Sequence, residues 1–192
     1  MKCGLVGRLD KETSGVIMFT DDSGLSTALR EPIGQLDLPY LHSKSKIYKL
    51  CLLPGKKALM KQNYFSELFD PFLVIKELSE PFSFNHKSSE YQVNRCDIQF
   101  LRKFQEERYS FGREELGWCL ELSVTLKEGK HHQIRRMARR CGFHVVSLQR
   151  TCIGGFLNID LVPEPGDCRM LTMEEVNTLK QGLGLITSDD NY

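Results

Sequence analysis

The sequence has no long apolar run, no paired-cysteine motif and almost no net charge. No stretch approaches the roughly 18 apolar residues of a membrane-spanning helix, and the N-terminus lacks a secretory pattern. The seven cysteines are an odd number without a CxxC pair, so neither a disulfide framework nor a standard zinc module is expected. These absences predict a soluble intracellular domain.

The composition is that of an ordinary globular protein. Hydrophobic residues make up 41% and charged residues 27% of the 192 residues, which suits one domain with a real core. There is no internal repeat and no low-complexity segment. Strand patterns outnumber helical ones and do not alternate regularly with them. The expected class is therefore α+β with a mostly antiparallel sheet.

The hydrophobic periodicity places the individual elements. Apolar runs and alternation predict strands over 15–20, 46–53, 97–101, 118–126, 143–148 and 154–159. Helices are predicted over 25–30, stopped by Pro32, within 131–141, and from the capping-box pair Thr172 and Glu175 to about Gly182. The charged segment 102–117 resembles a loop, and residues 54–117 as a whole are the least readable part.

Basic residues are concentrated in one segment of a nearly neutral chain. Between Lys127 and Arg150 there are seven Lys or Arg and one acid, Glu128, a local balance of +6. A solvated helix face is one interpretation. A dense patch of one sign repels itself, however, unless an anion compensates it, and phosphate is the commonest such anion.

Helical geometry distinguishes the arginines of this segment. At about 100° per residue, Arg136 and Arg139 point away from the apolar stripe, whereas Arg135 and Arg140 lie at its edges. An edge arginine can lie along the core and direct its guanidinium into a cleft. Arg135, next to a strand end, is the better candidate for a partly buried ion pair, with Arg140 as the alternative. Asp10 is the carboxylate best placed in the sequence to pair with such an arginine and stay ionised. The alternative is that Asp10 forms a structural salt bridge or caps a turn.

Two other patterns have simpler explanations. Cys141, His144 and Cys152 lie near one another in sequence, but such a spread over a helix end and a strand usually means core cysteines, so no metal site is expected. Tyr48, taken alone, is an ordinary half-buried strand tyrosine.

Three long segments resemble the signature segments of a known family. They are "GRLDKETSGVIMFTDDSG", "KIYKL" and "EGKHHQIRRMARRCGFHVVSLQRTCIGG", followed by a similar C-terminal stretch, "LVPEPGDCRMLTMEEVNTL". In order and spacing they are similar to the RNA pseudouridine synthases, most closely the bacterial branch that modifies ribosomal RNA and carries the GRLDxxTxG motif. The matches cover roughly half the chain, which is more specific than one short motif. The family fold is a mixed, largely antiparallel sheet with flanking helices and a central cleft.

The resemblance implies a role for each matching residue. Asp10 would attack the target nucleoside, and Tyr48 would stack on the uracil and help to remove its C5 proton. Arg135 would pair with Asp10, and Arg8 would enter the space left by the extruded uridine. The reaction would isomerise uridine to pseudouridine by base flipping, without a redox cofactor or a metal.

RNA is the partner that the resemblance implies, ribosomal RNA first and transfer RNA as the alternative. The basic segment would anchor phosphates, with the RNA-binding set Arg8, Lys130, His132, Gln133, Arg136 and Arg139. A monomer is expected, without a membrane partner. The cytoplasm is the expected compartment, and an organelle is the alternative.

Two departures from the family pattern leave other functions open. The motif begins at residue 7, so the expected catalytic domain, 1–192, is short at its N-terminus and has no preceding RNA-binding domain. Residues 54–117 are longer than the usual connection, and the excess is predicted to be an insertion on the rim of the cleft. The first alternative is an inactive RNA-binding module or ribosome assembly factor with the same fold. The second is a protein-interaction domain whose basic helix meets an acidic partner.

Overall fold

The chain folds into two compact units. The computed structural model describes residues 3–30, 45–56, 58, 70–110, 113–155 and 157–186. Unit 1 consists of Met1–Tyr48, Leu126–Gly129 and Gln149–Tyr192, and unit 2 of Lys49–Thr125 and Lys130–Leu148. Among the described helices, none is long and apolar enough to cross a membrane.

Ten strands and four α-helices are present in the described part of the chain. The strands are β1 Gly4–Leu5, β2 Ser14–Gly15, β3 Phe19–Thr20, β4 Lys46–Pro54, β5 Phe82–His86, β6 Ser89–Val93, β7 Asp97–Ser110, β8 Arg113–Leu126, β9 Phe143–Ile153 and β10 Leu157–Asn158. The α-helices are α1 Ser23–Arg30, α2 Pro71–Ser79, α3 Gln133–Cys141 and α4 Met173–Gly182, and Ile159–Leu161 forms a short 3₁₀ helix.

The main sheet has the strand order β10-β9-β4-β8-β7, and β2 pairs with β9 outside this path. The β2–β9 pair is parallel, whereas β9–β10 and β7–β8 are antiparallel. Two further antiparallel pairs, β1–β3 and β5–β6, form small sheets. The predicted α+β class with a mostly antiparallel sheet is confirmed.

The apolar run predicted as one strand over 15–20 is divided between two partners. Its start, β2, pairs with β9, and its end, β3, pairs with β1. Between them Val16 and Met18 are buried, while Ile17 is exposed, so the period-2 alternation of an extended chain is kept. In unit 1 the run contributes to a core of eight buried residues: Val6, Val16, Met18, Leu25, Leu29, Ile153, Leu157 and Leu179.

The prediction of a loop over 102–117 is wrong. β7 continues to Ser110 and β8 begins at Arg113, and their pairing is continuous except for one irregularity between Phe100 and Arg102. Where side chains are described, charge is compensated across strands: Glu121 binds Arg102 at 2.8 Å. Such pairing lets strongly charged strands lie side by side, although their composition suggests a loop.

The helix predicted within 131–141 is confirmed as α3. Its apolar stripe, Ile134, Met137, Ala138 and Cys141, is buried. Gly142 ends the helix with φ +87°, the left-handed conformation that favours glycine, and its N–H donates to the carbonyls of Ala138 and Arg139. The expected capping box of α4 is also present, with reciprocal bonds between Thr172 and Glu175.

Other predicted boundaries shift by a few residues. α1 begins at Ser23 because Asp22 accepts a hydrogen bond from the Leu25 N–H at 2.9 Å. Its predicted stop at Pro32 lies outside the described residues. The last predicted strand, 154–159, is reduced to β10, because the chain turns into the 3₁₀ helix at Ile159.

Two elements of the predicted insertion were not identified from the sequence. Helix α2 starts after Asp70, whose side chain accepts from the Phe72 N–H at 2.9 Å, and Pro71 occupies its first turn. Strands β5 and β6 form a hairpin whose turn residues Lys87 and Ser88 both have positive φ, 48° and 63°. This backbone usually selects Asn or Gly, so the hairpin lacks its normal sequence signal. That 54–117 contains an insertion stays a prediction.

Candidate active site

The GRLD motif forms a turn at the entrance to β2. Gly7 has φ +71°, a left-handed conformation that glycine adopts easily. The Asp10 carbonyl then accepts a hydrogen bond from the Thr13 N–H at 2.9 Å. Within this turn Arg8 is exposed and the Asp10 side chain is half-buried. A half-buried carboxylate is therefore held on a short turn, with an exposed arginine two residues before it.

Gly15 brings β2 into close contact with β9. A Cβ atom on Gly15 would lie 2.1 Å from the Arg150 carbonyl oxygen and 2.6 Å from its backbone nitrogen. Its φ of +111° is also unfavourable for an L side chain. The next residue, Val16, donates its N–H to the Arg150 carbonyl at 2.9 Å. The glycine of the motif is thus required because it lets the turn lie directly against Arg150.

The Arg150 side chain is buried and contacts both Val16 and Tyr48. Its exposed fraction is 1%. Nε donates to the Val16 carbonyl at 2.8 Å, and the guanidinium hydrogen-bonds the Tyr48 hydroxyl. Nη2 is also buried and has no hydrogen-bond partner among the described residues. The buried guanidinium therefore links the motif strand to Tyr48 and keeps one donor for another acceptor.

The charges of Arg150 and Asp10 both affect the pKa of Tyr48. Burial raises the pKa of the phenol above its ordinary value of 10.0. The positive charge and hydrogen bond of Arg150 act in the opposite direction, while the negative charge of Asp10 raises the pKa further. Tyr48 is therefore a neutral phenol at physiological pH, close enough to Asp10 to respond to its charge.

Lys46 adds a second cation to this part of unit 1. Its pKa is lowered, first by burial and then by the positive charge of Arg150. Nζ donates to the Leu29 carbonyl at 3.3 Å. The phenol is thus affected by charges of both signs, Arg150 and Asp10, and Lys46 lies close enough to Arg150 to be affected by its charge. Such an arrangement can bind a polar, partly anionic ligand and stabilise charge that develops on it.

Unit 2 carries the basic helix α3, and its arginines differ in their surroundings. Arg140 donates through Nη2 to the carbonyls of Glu77 and Glu80, the latter at 3.1 Å, and its guanidinium lies 4.8 Å from the Phe82 ring centre. Arg140 thus binds the end of α2. Arg135 of the same helix is half-buried.

The predicted RNA-binding residues around α3 are not equally available. Arg139 and His132 are exposed. Arg136 is half-buried, with Nε donating to the His131 carbonyl at 3.1 Å. Gln133 is buried, and its side-chain oxygen accepts from the Lys130 N–H at 3.0 Å, so it shapes the turn into the helix. Their roles in RNA binding stay predictions.

The structure brings Asp10 and Tyr48 into one electrostatic cluster inside unit 1. The catalytic roles that the resemblance implies for them stay predictions. Arg135 belongs to unit 2, and its pairing with Asp10 stays a prediction. Lys46 and Arg150 were not identified from the sequence as site residues. Both lie in the segments that carry the resemblance, Lys46 two residues before Tyr48 and Arg150 directly after "LQ", but nothing local indicates that they meet.

Comparison with known proteins identifies the family. The profile of the family described as RNA pseudouridylate synthase matches residues 1–140, well over half of the chain. The chain is 43% identical over 176 residues to ribosomal small subunit pseudouridine synthase A of Escherichia coli (strain K12), covering 91% of this chain and 58% of that protein. It is 27% identical over 175 residues to an uncharacterized RNA pseudouridine synthase of Aquifex aeolicus (strain VF5), covering 91% of this chain and 55% of that one.

A solved structure supports the same fold. A crystal structure of a pseudouridylate synthase matches with a TM-score of 0.61 at 20% identity, over 93% of this chain and 60% of that chain. The chain spans 55% to 58% of the length of the two curated relatives. Since the family profile and the fold agree, the chain belongs to the RNA pseudouridine synthase family.

Proposed function

We propose that this chain isomerises a uridine to pseudouridine in structured RNA, with Asp10 as the nucleophile. The observation that carries the proposal is the cluster of Asp10, Tyr48 and Arg150 inside unit 1. In this cluster the half-buried carboxylate of Asp10 lies close enough to Tyr48 for its charge to raise the pKa of the phenol, which burial also raises. These are the positions at which the family resemblance implies the attacking acid and the aromatic residue.

The chemistry requires one bond exchange and no net change in composition. The N1–C1′ bond of the uridine breaks while Asp10 attacks the nucleoside. The uracil then turns within the site, and a new bond joins C5 to C1′ as the bond between Asp10 and the nucleoside breaks, which frees the carboxylate again. N1 gains a proton and C5 loses one. Tyr48 stacks on the uracil and helps to remove the C5 proton.

The neutral state of Tyr48 suits the stacking part of this task. A phenolate at Tyr48 would be repelled by the negatively charged carboxylate of Asp10. A neutral phenol can stack on uracil without this repulsion. Arg150 holds the hydroxyl in place and stabilises any negative charge that develops on its oxygen. Its buried Nη2, which has no hydrogen-bond partner among the described residues, is suited to donate to a uracil carbonyl.

Arg8 and the basic helix supply the rest of the proposed machinery. Extruding a base from folded RNA costs a few kcal/mol of stacking and pairing. Arg8, exposed beside Asp10, enters the space that the uridine leaves. Arg135 pairs with Asp10, and exposed cations such as Arg139 anchor phosphates and set the register.

Ribosomal RNA is the proposed substrate. A relative at 43% identity is named as a ribosomal small subunit pseudouridine synthase, and the charge of the α3 segment suits a polyanion. We further propose that the chain works as a monomer, inside the cell. Transfer RNA is the competing substrate class, which the assay below separates.

Tritium release tests the proposal. Ribosomal and transfer RNA that lack the modification are labelled with tritium at C5 of uridine and incubated with the parent chain, Asp10→Asn and Tyr48→Phe. We expect release from ribosomal RNA by the parent and none above background by Asp10→Asn, because an amide cannot replace the attacking carboxylate. If no variant, the parent included, releases tritium while all bind RNA in a salt-dependent way, the inactive RNA-binding module replaces the synthase.

A further inference from the structure

A column of stacked rings in unit 2 extends from the β5–β6 hairpin to the start of α3. The His131 and His132 rings lie 4.0 Å apart and within 15° of parallel, and His86 stacks on His131 at 4.2 Å and 13°. Tyr91 lies 6.4 Å from His86 and stacks on Phe84 at 5.4 Å and 15°. Three stacked imidazoles thus meet a second stacked pair, Tyr91 and Phe84, at an angle of 53°, and the five rings come from two segments far apart in sequence.

Arginine side chains of α3 are held against the same hairpin face. The Arg136 guanidinium lies 4.2 Å from the centre of the Phe84 ring, and its Nε donates to the His131 carbonyl. A cation over an aromatic face is attracted by the ring and is less free to move. The hairpin therefore orients Arg136 beside the ring column.

The position of these rings is not explained by core packing. His131 and His132 are exposed, and Phe84, His86 and Tyr91 are only half-buried. A hairpin that only covers apolar surface would use aliphatic residues, whereas this column ends in imidazoles at the surface. No acid occurs from Gly129 to Arg150, so the helix side of this surface is cationic throughout.

We propose that the ring column His86–His131–His132, with Arg136, is a binding site for an unpaired stretch of RNA outside the target uridine. A base of the RNA stacks on the outer face of His132, the exposed ring at the end of the column, which His131 and His86 support, and Arg136 bonds an adjacent phosphate. Stacking rings next to cations are how proteins bind single-stranded nucleic acid, since every base has a π face. A helical region of RNA hides those faces, so the site favours a loop or a bulge. The inference rests on the proposed function for the identity of the polymer.

The site gives the β5–β6 hairpin a role in substrate binding. The hairpin lies within 54–117, the segment predicted to contain an insertion, which the family resemblance leaves without a role. An acidic protein would also be attracted by Arg136, but it would gain little from three parallel rings. The stacked geometry therefore favours RNA over a protein partner.

Variants of the full chain test the site by fluorescence anisotropy. The probes are a labelled single-stranded adenosine oligonucleotide and an RNA duplex of the same length. His132→Ala should weaken single-strand binding by about fivefold or more. His86→Ala and His131→Ala should weaken it as well, because they remove the rings that support His132. His86→Phe should keep it, because a phenyl ring also stacks. Asn85→Ala is the matched control: Asn85 is exposed on the opposite face of β5 and should leave binding unchanged.

The salt dependence and the duplex distinguish stacking from a general loss of charge or fold. Removing a ring should leave the slope of log K against log salt unchanged, because no phosphate contact is removed. Duplex binding should change less than single-strand binding. Equal losses on both probes, or parent-like binding by His86→Ala and His131→Ala with unchanged melting temperatures, would overturn the proposal. Displacement of the oligonucleotide by an acidic peptide from the parent but not from His86→Ala would do so as well.

Tritium release separates this inference from the proposed function. If the parent releases tritium and the ring variants bind single-stranded RNA like the parent, the ring column is not an RNA site and the synthase proposal stands. If the ring variants lose single-strand binding while the parent releases no tritium, the ring column is supported and the synthase proposal fails.

Discussion

Tyr48 and Arg150 form a buried polar pair whose properties depend on one neighbouring carboxylate. Arg150 would be costly to bury without partners, and the Val16 carbonyl and the Tyr48 hydroxyl provide two. The negative charge of Asp10 raises the pKa of the same phenol, whereas Arg150 lowers it. The three side chains therefore cannot be changed independently, which is expected of groups that act together on one substrate.

The raised pKa of Tyr48 predicts a loss of stability in alkali. Because the phenol has a higher pKa in the folded than in the unfolded chain, it stabilises the fold below its ordinary pKa of 10.0. That contribution disappears as the pH rises from about this value through the folded pKa. We expect Tyr48→Phe to lose less stability above this pH than the parent, as measured by urea unfolding over an alkaline pH series.

Arg150→Met serves as the partner experiment. The guanidinium lowers the pKa of Tyr48, so its removal should move the ionisation of this phenol to still higher pH in an ultraviolet absorbance titration. An unchanged or earlier ionisation would show that Arg150 does not act on Tyr48.

Gly15 makes a second prediction about a single position. Gly15→Ala forces a Cβ into the Arg150 backbone at a φ that L residues avoid, so we expect a loss of about 1–3 kcal/mol in unfolding free energy. Gly129→Ala is the control, since a Cβ there meets nothing within 4 Å. It should change the stability by no more than about 0.5 kcal/mol. Equal effects of the two substitutions would contradict the close contact of β2 with β9.

Among the secondary-structure elements, α3 shows how far sequence periodicity can be trusted. Its apolar stripe and its exposed Arg139 follow from the period of 3.6 residues, and it ends at the predicted glycine. The β7–β8 hairpin shows the opposite case. Its stability comes from pairing between strands and from cross-strand ion pairs such as Arg102 with Glu121. A composition rich in Arg and Glu does not reveal this pairing, so the segment resembled a loop.

The basic helix predicts a measurable salt effect on RNA binding. Arg139 is exposed on α3, so Arg139→Ala should weaken binding to all RNA sequences and lower the slope of log K against log salt by about one. Arg95→Ala is a matched control in the same unit, because Arg95 already pairs with Glu80 at 2.7 Å. It should leave the slope unchanged. If both variants behave alike, the α3 face does not contact phosphates.

For the molecule as a whole, the charge distribution is more informative than the net charge. The chain carries a formal charge of only +1, yet the segment that contains α3 is strongly basic. A local basic patch in a nearly neutral protein attracts a polyanion to one face, while the rest of the surface neither attracts nor repels it strongly. Substrate binding is therefore expected to depend on a few residues.

The site was partly predictable at this level as well. Asp10 and Tyr48 follow from long motifs that resemble a family, whereas Arg150 and Lys46 require the fold. Arg150 meets the GRLD motif only because β2 pairs in parallel with β9, a contact between residues about 135 positions apart in sequence. Such long-range pairings are set by tertiary packing, and single-sequence patterns do not contain them.

The most direct test of the synthase proposal is to count pseudouridine itself. Ribosomal RNA lacking the modification is incubated with the parent chain or Asp10→Asn, digested to nucleosides and separated by liquid chromatography with mass detection. We expect the parent to form pseudouridine up to about one residue per RNA molecule and Asp10→Asn to form none. Pseudouridine formation by Asp10→Asn at the parent's rate, or its absence with the parent despite RNA binding, would contradict the proposal that this chain is an aspartate-dependent pseudouridine synthase.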